Sequence, residues 1–139
     1  MGFTAGSDSH QMEHGKEGGI VAVFAEERTS EGVWSALKNR RTYGTTGARI
    51  LLNFTLNGLN MGSITSGEER NIKVSGIGVT EVEGVDIIKN GRVIYTFIPS
   101  SLEFDFEFKD TKEKEEDYYY VKVRQKDEQR AWSSPIWVK

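Results

Sequence analysis

The sequence predicts a mainly β protein, an antiparallel immunoglobulin-like β-sandwich of six to seven strands with one N-terminal helix. Between residues 49 and 139, short runs of alternating apolar and polar residues recur with turn residues between them. Strands repeated at this spacing are typical of antiparallel sandwiches. No segment of that region places apolar residues at helical spacing, so the single predicted helix lies ahead of it.

The first 48 residues differ from the rest of the chain in their pattern of apolar and turn-forming residues. Residues 1–19 contain five glycines and no apolar periodicity, which predicts a loop. Residues 20–24 are apolar and rich in β-branched side chains, which favours a buried strand. We therefore predict a boundary near residue 48, between an N-terminal segment (1–48) and the sandwich (49–139).

A helix of about 12 residues is predicted after that strand. Thr29 or Ser30 can cap its N-terminus, and Gly44 can close its C-terminus behind a basic last turn. Three apolar residues share one face of it, namely Val33, Trp34 and Leu37. We expect this face to pack on the sandwich, and we expect residues 1–18 to be disordered.

The sandwich strands are predicted from period-two alternation and turn chemistry. Asn57-Gly58 and Asn90-Gly91 are typical of two-residue hairpin turns. Gly76 and Gly78 within one strand indicate a bulge or a close backbone approach. The predicted strands cover residues 50–56, 70–80, 85–89, 92–97, 102–108, 118–124 and 132–137.

Composition excludes several classes of function. Eighteen basic and 21 acidic residues give a net charge of −3, which argues against a nucleic-acid partner. No apolar run is long enough to span a bilayer, so no membrane partner is expected. The chain has no cysteine, which excludes disulfides and thiolate metal sites and is typical of a cytoplasmic protein.

The Asp8-Ser9-His10 motif is the candidate metal site. On an extended segment, side chains two residues apart point to the same side, so one divalent cation could contact both Asp8 and His10. A carboxylate with an imidazole suits zinc, manganese or iron. His14 is either a third ligand or an exposed loop residue. The alternative is a solvated, glycine-rich terminus whose polar residues bind nothing.

A family resemblance covers most of the chain. The motif at residues 5–10 resembles the end of a PHP (polymerase and histidinol phosphatase) catalytic domain, and the resemblance continues through residues 18–50 and into the tail. It implies that Asp8 and His10 belong to a metal cluster that activates water against phosphate esters. The earlier histidine motifs of that domain are missing. The resemblance therefore implies a C-terminal fragment of a PHP-like metal-dependent hydrolase of the phosphoesterase type, inactive alone, with the missing N-terminal barrel as its partner.

Two further segments each have two interpretations. In the run from residue 40 to residue 47, Arg41, Thr42 or Tyr43 could reach a substrate phosphate, although a basic helix end with a glycine-rich exit is favoured. Tyr118 to Tyr120 with Trp132 and Trp137 could form a sugar- or peptide-binding face. Alternation instead favours core packing of Tyr119, Val121 and Val123, with Tyr118 and Tyr120 outside. The mixed charges of residues 109–117 predict a solvated loop.

A second functional hypothesis comes from a different class of protein. The chain could be a stand-alone β-sandwich module that binds a partner protein or a glycan. This hypothesis predicts an exposed apolar or aromatic patch on one sheet. No catalytic residue is identified, and no substrate-binding residue can be named from the sequence alone.

Overall fold

The structure, a computed structural model, describes residues 2–10 and 18–139. In that part of the chain it has eleven strands and one helix, and all strand pairs but one are antiparallel. The mainly β, antiparallel sandwich with one helix is therefore confirmed. The elements are β1 (Ile20–Val23), α1 (Ser30–Lys38), β2 (Thr42–Thr45), β3 (Leu51–Leu56), β4 (Leu59–Asn60), β5 (Ile64–Thr65), β6 (Glu69–Lys89), β7 (Arg92–Phe97), β8 (Ser101–Thr111), β9 (Asp117–Gln125), β10 (Arg130–Ser133) and β11 (Ile136–Val138).

The 21-residue strand β6 joins the two parts of the sheet. Its first part pairs with β3 and β8, and its second part pairs with β7 and β9. The register with β8 shifts between Ile77 and Val82, where Gly78 had predicted a bulge. Because a bulge bends the strand that carries it, the sheet curls and encloses a single apolar core.

The core follows the predicted alternation. Phe54 and Leu56 on β3 and Val121 and Val123 on β9 are fully buried. Tyr119 is buried beside them while Tyr118 is exposed, so the core-packing interpretation of this aromatic run is confirmed. The inward residues of both parts of the sheet thus share one hydrophobic cluster.

Both predicted hairpin turns are present. Asn57 and Gly58 connect β3 to β4, and Asn90 and Gly91 connect β6 to β7. All four residues have positive φ, at 51° and 79° in the first turn and 51° and 81° in the second. Positive φ at both central residues is what a type I′ turn requires, and Asn followed by Gly tolerates it best.

The region after the helix differs from the prediction. Helix α1 has nine residues and ends at Lys38, and Gly44 lies within the unpredicted strand β2, whose four residues are all buried. Strand β2 pairs with β1 on one side and with β10 on the other. The favoured interpretation of residues 40–47 as a helix end with a glycine-rich exit is therefore wrong, because pairing on both sides overrides the weak local propensity.

The predicted docking of the helix face is also wrong. Val33, Trp34 and Leu37 are all exposed, and the buried helix residue is Ala36. Helix α1 thus turns its smallest apolar side chain inward, and its apolar face remains open to solvent.

The N-terminal segment is ordered at Phe3, contrary to the predicted disorder. The Phe3 amide donates to the Ser134 hydroxyl (2.8 Å), and the Thr42 hydroxyl donates to the Phe3 carbonyl (2.7 Å). The Phe3 ring packs edge-on against Tyr120 at 5.3 Å. Residues 1 and 11–17 lie outside the described part of the chain.

Two organisational predictions are not decided by this fold. The boundary near residue 48 stays a prediction, although strands from both sides of it, β2 and β10, are hydrogen-bonded in one sheet. In residues 2–10 and 18–139, no helix has the length and apolarity needed to cross a membrane. The cytoplasmic location stays a prediction.

Candidate binding groove

The predicted metal ligands, Asp8 and His10, lie at the surface. Both are exposed, and Asp8 has a φ of 54°, which is left-handed and not the extended geometry that places alternate side chains on one side. Among the described residues, no group of three or more potential ligands of the His, Cys, Asp and Glu types lies together. His14 is outside those residues. The metal site stays a prediction.

A surface groove of about 540 Å³ lies across β3, β6 and β8, within the range of roughly 300–1,000 Å³ typical of ligand sites. We call it the Phe24 groove. Residues that lie directly opposite one another on the three strands form two rows across its floor. The residues that line this groove are Phe24 and Tyr43, the row Leu51, Ile77 and Glu103, the row Asn53, Ser75 and Asp105, and between these rows Leu52, Gly76 and Phe104.

The apolar end of the groove departs from the usual outward pattern of a strand. Leu51 is 58% exposed, and Ile77 and Phe24 are also exposed, at positions where alternation normally places polar residues. Phe24 is held there by its amide, which donates to the Arg41 carbonyl (2.9 Å), and by ring packing on Tyr43 at 5.7 Å. The exposed apolar side chains therefore lie together at one end of the groove.

Tyr43 connects this end of the groove to the core. Its hydroxyl donates to the carbonyl of Ile50 (2.8 Å), the residue just before β3. Burial raises the pKa of the Tyr43 hydroxyl above its ordinary value, so the phenol stays protonated and keeps donating. This hydrogen bond fixes β2 against β3 and so positions Phe24 relative to Leu51.

The opposite side of the groove carries two carboxylates. Glu103 and Asp105 are exposed, and neither forms an ion pair with a described residue. Farther along β8, Glu107 pairs with Lys73 at 2.6 Å, and this hydrogen bond lowers the pKa of Glu107 and raises that of Lys73. Lys73 is also attracted by Asp105, but the carboxylates of Glu103, Asp105 and Glu107 outnumber its one ammonium, so the groove has a net acidic rim beside its apolar floor.

A second set of charges lies inside the fold, and we call Arg70, Lys89, Asp110 and Asp117 the charge cluster. The Lys89 ammonium donates to Asp110 Oδ2 (2.8 Å) and to the Thr111 carbonyl (2.7 Å). Asp117 Oδ2 lies 3.9 Å from Lys89 and 3.7 Å from Arg70. The side chains of Asp117, Arg70 and Lys89 are 0%, 1% and 4% exposed.

The burial of the charge cluster was not predicted from the sequence. Asp117 ends the segment predicted as a solvated loop, yet it is fully buried. The Tyr119 hydroxyl donates to Asp110 (2.8 Å). Burial raises the pKa of Tyr119, and the neighbouring Asp110 carboxylate raises it further. One signal was available, because Arg70 is in phase with the inward-facing Ile72 and Val74 on β6, a position that demands a buried partner.

A third surface is the apolar face of the helix. Val33, Trp34 and Leu37 line an open groove of about 650 Å³, together with Val23, Ala25, Arg28, Thr29 and Ser30. We call these three helix residues the α1 face. The Lys38 ammonium lies 5.2 Å from the Trp34 ring centroid, which leaves most of the ring uncovered.

Comparison with known proteins identifies the family. The family model described as "Protein of unknown function (DUF3604)" matches residues 2–79, which is more than half of the chain. The chain belongs to the DUF3604 family. It is 37% identical over 150 aligned residues to an uncharacterized protein of Chlamydia pneumoniae and 31% identical to one of Chlamydia trachomatis. Each alignment covers 94% of this chain and 24% of the relative, so the chain spans about a quarter of their length.

Solved structures similar to the chain are β-sandwich modules. A fibronectin(III)-like module of Clostridium thermocellum CbhA aligns with a TM-score of 0.33 and 17% identity, covering 61% of this chain and 90% of that one. The CARDB domain of the PF1109 protein from Pyrococcus furiosus, solved with di-metal ions, aligns with a TM-score of 0.36 and 12% identity, covering 66% and 94%. At these scores the likeness carries no argument about function.

The family match corrects one prediction. The resemblance to the PHP catalytic domain is wrong, because the family that matches residues 2–79, including the Asp8 and His10 motif, is DUF3604. The hydrolase hypothesis depended on that resemblance and loses its support. The second hypothesis, a β-sandwich binding module, does not depend on that resemblance.

Proposed function

We propose that this chain is a binding module that holds a segment of a partner protein in the Phe24 groove. The observation that carries the proposal is the exposed cluster of Phe24, Leu51 and Ile77 beside the unpaired carboxylates of Glu103 and Asp105. Exposed apolar side chains that share a concave surface are typical of interaction sites. The binding-module hypothesis predicted such a patch on one sheet.

The chemistry of the groove favours a protein segment over a glycan. A sugar needs several hydrogen-bonding groups aimed at its hydroxyls, and the polar floor offers only Asn53 and Ser75 besides the two acids. Leu51 and Ile77 instead offer aliphatic surface, which an apolar side chain of a peptide would cover. A neighbouring lysine or arginine of the same peptide would then contact Glu103 or Asp105.

Selection from a random peptide library displayed on phage tests the proposal. Peptides should be enriched on the native chain and lost on the Ile77→Glu variant, because the new carboxylate would occupy the apolar floor. Because Ile77 is exposed but lies opposite Glu103, the variant should remain folded with a loss of about 1 kcal/mol or less from the like charges. The control is Val93→Glu, at a 57% exposed residue on β7 outside the groove, which should retain the same peptides.

Two outcomes would contradict the proposal. Failure to enrich any peptide, or equal enrichment on the native chain and Ile77→Glu, would remove the groove as a peptide site. A glycan array probed with the same three proteins provides the other arm. Glycan binding that Ile77→Glu abolishes and Val93→Glu preserves would assign the groove to a sugar instead.

A further inference from the structure

The turn that ends helix α1 has an arginine where glycine is the usual residue. The Arg41 amide donates to the Ala36 carbonyl (2.9 Å) and the Arg40 amide to the Leu37 carbonyl (3.1 Å), which is the hydrogen-bond pattern of a Schellman motif. Arg40 occupies the left-handed position of that motif, with a φ of 59°. Glycine is favoured there because a Cβ is strained at positive φ. An arginine that strains its own turn indicates a role for its side chain.

The Arg40 side chain is restrained at two points. Its Nε donates to the Gly62 carbonyl (2.9 Å), and its guanidinium carbon lies 5.5 Å from the centroid of the Trp137 ring. Gly62 permits this approach, because a Cβ there would lie 2.4 Å from the Arg40 carbonyl oxygen. In the described part of the chain, the two terminal nitrogens of this guanidinium have neither a hydrogen-bond acceptor nor a carboxylate partner. These donors are therefore available to a ligand.

A pocket of about 340 Å³ lies between this turn and β4, and we call it the Arg40 pocket. None of the described residues that line it is acidic. The Arg41 guanidinium is already engaged by Glu26 (2.9 Å) and Ser35 (3.5 Å), so Arg40 is the arginine that remains to bind. A planar guanidinium in a pocket without acids suits a carboxylate. The polar residues that line the Arg40 pocket are Asn39, Arg40, Arg41, Asn60 and Ser63.

The Arg40 pocket adjoins the Phe24 groove through a small cleft of about 40 Å³. Phe24 and Asn53 line both the cleft and the groove. Arg41 and Asn60 line both the cleft and the pocket. One surface therefore runs from the acidic rim of the groove, across its apolar floor, to a basic pocket.

We propose that the Arg40 pocket binds an acidic side chain, aspartate or glutamate, of the same partner segment that occupies the Phe24 groove. This inference rests on the proposed function and adds a direction to it. A basic residue of the segment would contact the acidic rim, and an apolar residue would cover Leu51 and Ile77. The acidic residue would lie past Phe24, where its carboxylate would accept hydrogen bonds from the terminal nitrogens of Arg40. A segment with the opposite order of charges would meet like charge at both ends.

Peptide binding measured by fluorescence anisotropy tests the proposal. The probes are synthetic copies of the peptides that phage display enriches on the native chain. These peptides should share an aspartate or glutamate at one spacing from the apolar residue. Changing it to asparagine or glutamine should weaken binding at least about tenfold. Arg40→Gly should weaken binding of the acidic peptide by a similar factor, and the two changes together should weaken it no further than either alone.

The variants separate binding from folding. Glycine suits the left-handed φ of residue 40, so Arg40→Gly should keep the thermal midpoint within about 4 °C of the native value. Arg130→Gln, which removes the same charge at an exposed residue of β10, should leave binding unchanged. The substitution in the peptide tests the same contact without any change to the protein.

The outcomes distinguish this inference from the proposed function. Peptides that Ile77→Glu releases but that share no acidic residue, or that bind Arg40→Gly as tightly as the native chain, would overturn the inference and leave the Phe24 groove as a peptide site. Binding that is lost on amidation of the peptide C-terminus, and not on the change to asparagine or glutamine, would also overturn it, because the pocket would then hold a terminal carboxylate. Failure to enrich any peptide would overturn the proposed function and this inference together.

Discussion

Asp117→Ala is a substitution for which the structure predicts a large loss of stability. The Asp117 carboxylate accepts from Asn90 Nδ2 (2.8 Å) and from the Glu113 amide (3.0 Å). It also lies within 4 Å of Arg70 and Lys89, both almost fully buried. Alanine would remove the hydrogen bonds and the charge together. The Arg70 guanidinium would then remain inside the fold without its carboxylate.

The expected magnitude follows from that uncompensated charge. Removing one partner of a buried ion pair costs about 3–5 kcal/mol. Unfolding entropy near 60 °C is about 2.1 cal/mol/K per residue, which for 139 residues gives roughly 290 cal/mol/K. Dividing the lost free energy by this unfolding entropy predicts a fall in the thermal midpoint of about 10–17 °C.

Urea unfolding followed by circular dichroism measures this loss directly. Asp105→Ala is the matched control, because Asp105 is exposed, and it should change the free energy of unfolding by no more than about 0.5 kcal/mol. Asp117→Asn, which keeps the shape and one acceptor, should fall between the two. A loss below about 1 kcal/mol for Asp117→Ala would refute a stabilising role for the charge cluster.

Three further predictions concern pH, backbone packing and metal. Burial alone would raise the pKa of both carboxylates of the charge cluster, but their hydrogen bonds lower the pKa on balance. The two carboxylates should therefore stabilise the fold fully at pH values above their unfolded-state pKa of about 3.9, and this stabilisation should be lost as the pH falls below it. When unfolding is measured at decreasing pH, Asp117→Asn should lose less free energy of unfolding than the native chain. Gly76→Ala should destabilise by about 1–3 kcal/mol, because its Cβ would lie 2.2 Å from the carbonyl oxygen of Leu51, whereas Gly6→Ala, with nothing within 4 Å, should be neutral by thermal melting. Zn²⁺ titration followed by NMR should shift the signals of Asp8 and His10 first and with weak affinity, and unchanged spectra at about 1 mM metal would exclude an autonomous site.

The parts of the fold that the sequence predicted depend on local chemistry. The two Asn-Gly turns need positive φ at adjacent residues, and few dipeptides satisfy that need. The alternation in β9 requires only that every second side chain enter the core, and Tyr119, Val121 and Val123 do so. Such signals can be recognised in the sequence without knowledge of the neighbouring strands.

The missed elements depend on partners distant in the chain. Strand β2 has four residues including a glycine, and its pairing with β1 and β10, not its own composition, makes it a strand. The charge cluster brings residues 70, 89, 110 and 117 together from three strands. A charged side chain near a turn normally indicates solvent, so local pattern alone predicts the wrong environment for Asp117.

The Phe24 groove shows why a binding surface is harder to predict than a core. Alternation with Phe54 and Leu56 places Leu52 in the core and Leu51 outside, and the structure agrees, but alternation does not say what lies beside Leu51. Only the register that sets Leu51 beside Ile77 and Glu103 turns an isolated exposed leucine into part of a patch. The same dependence on conformation applies to the metal motif, where a left-handed Asp8 removes the extended geometry that the spacing of Asp8 and His10 assumed. A functional surface in this chain therefore depends on strand register and on backbone φ. The spacing of residues in the sequence predicts which side chains share a surface only where the segment is a regular strand.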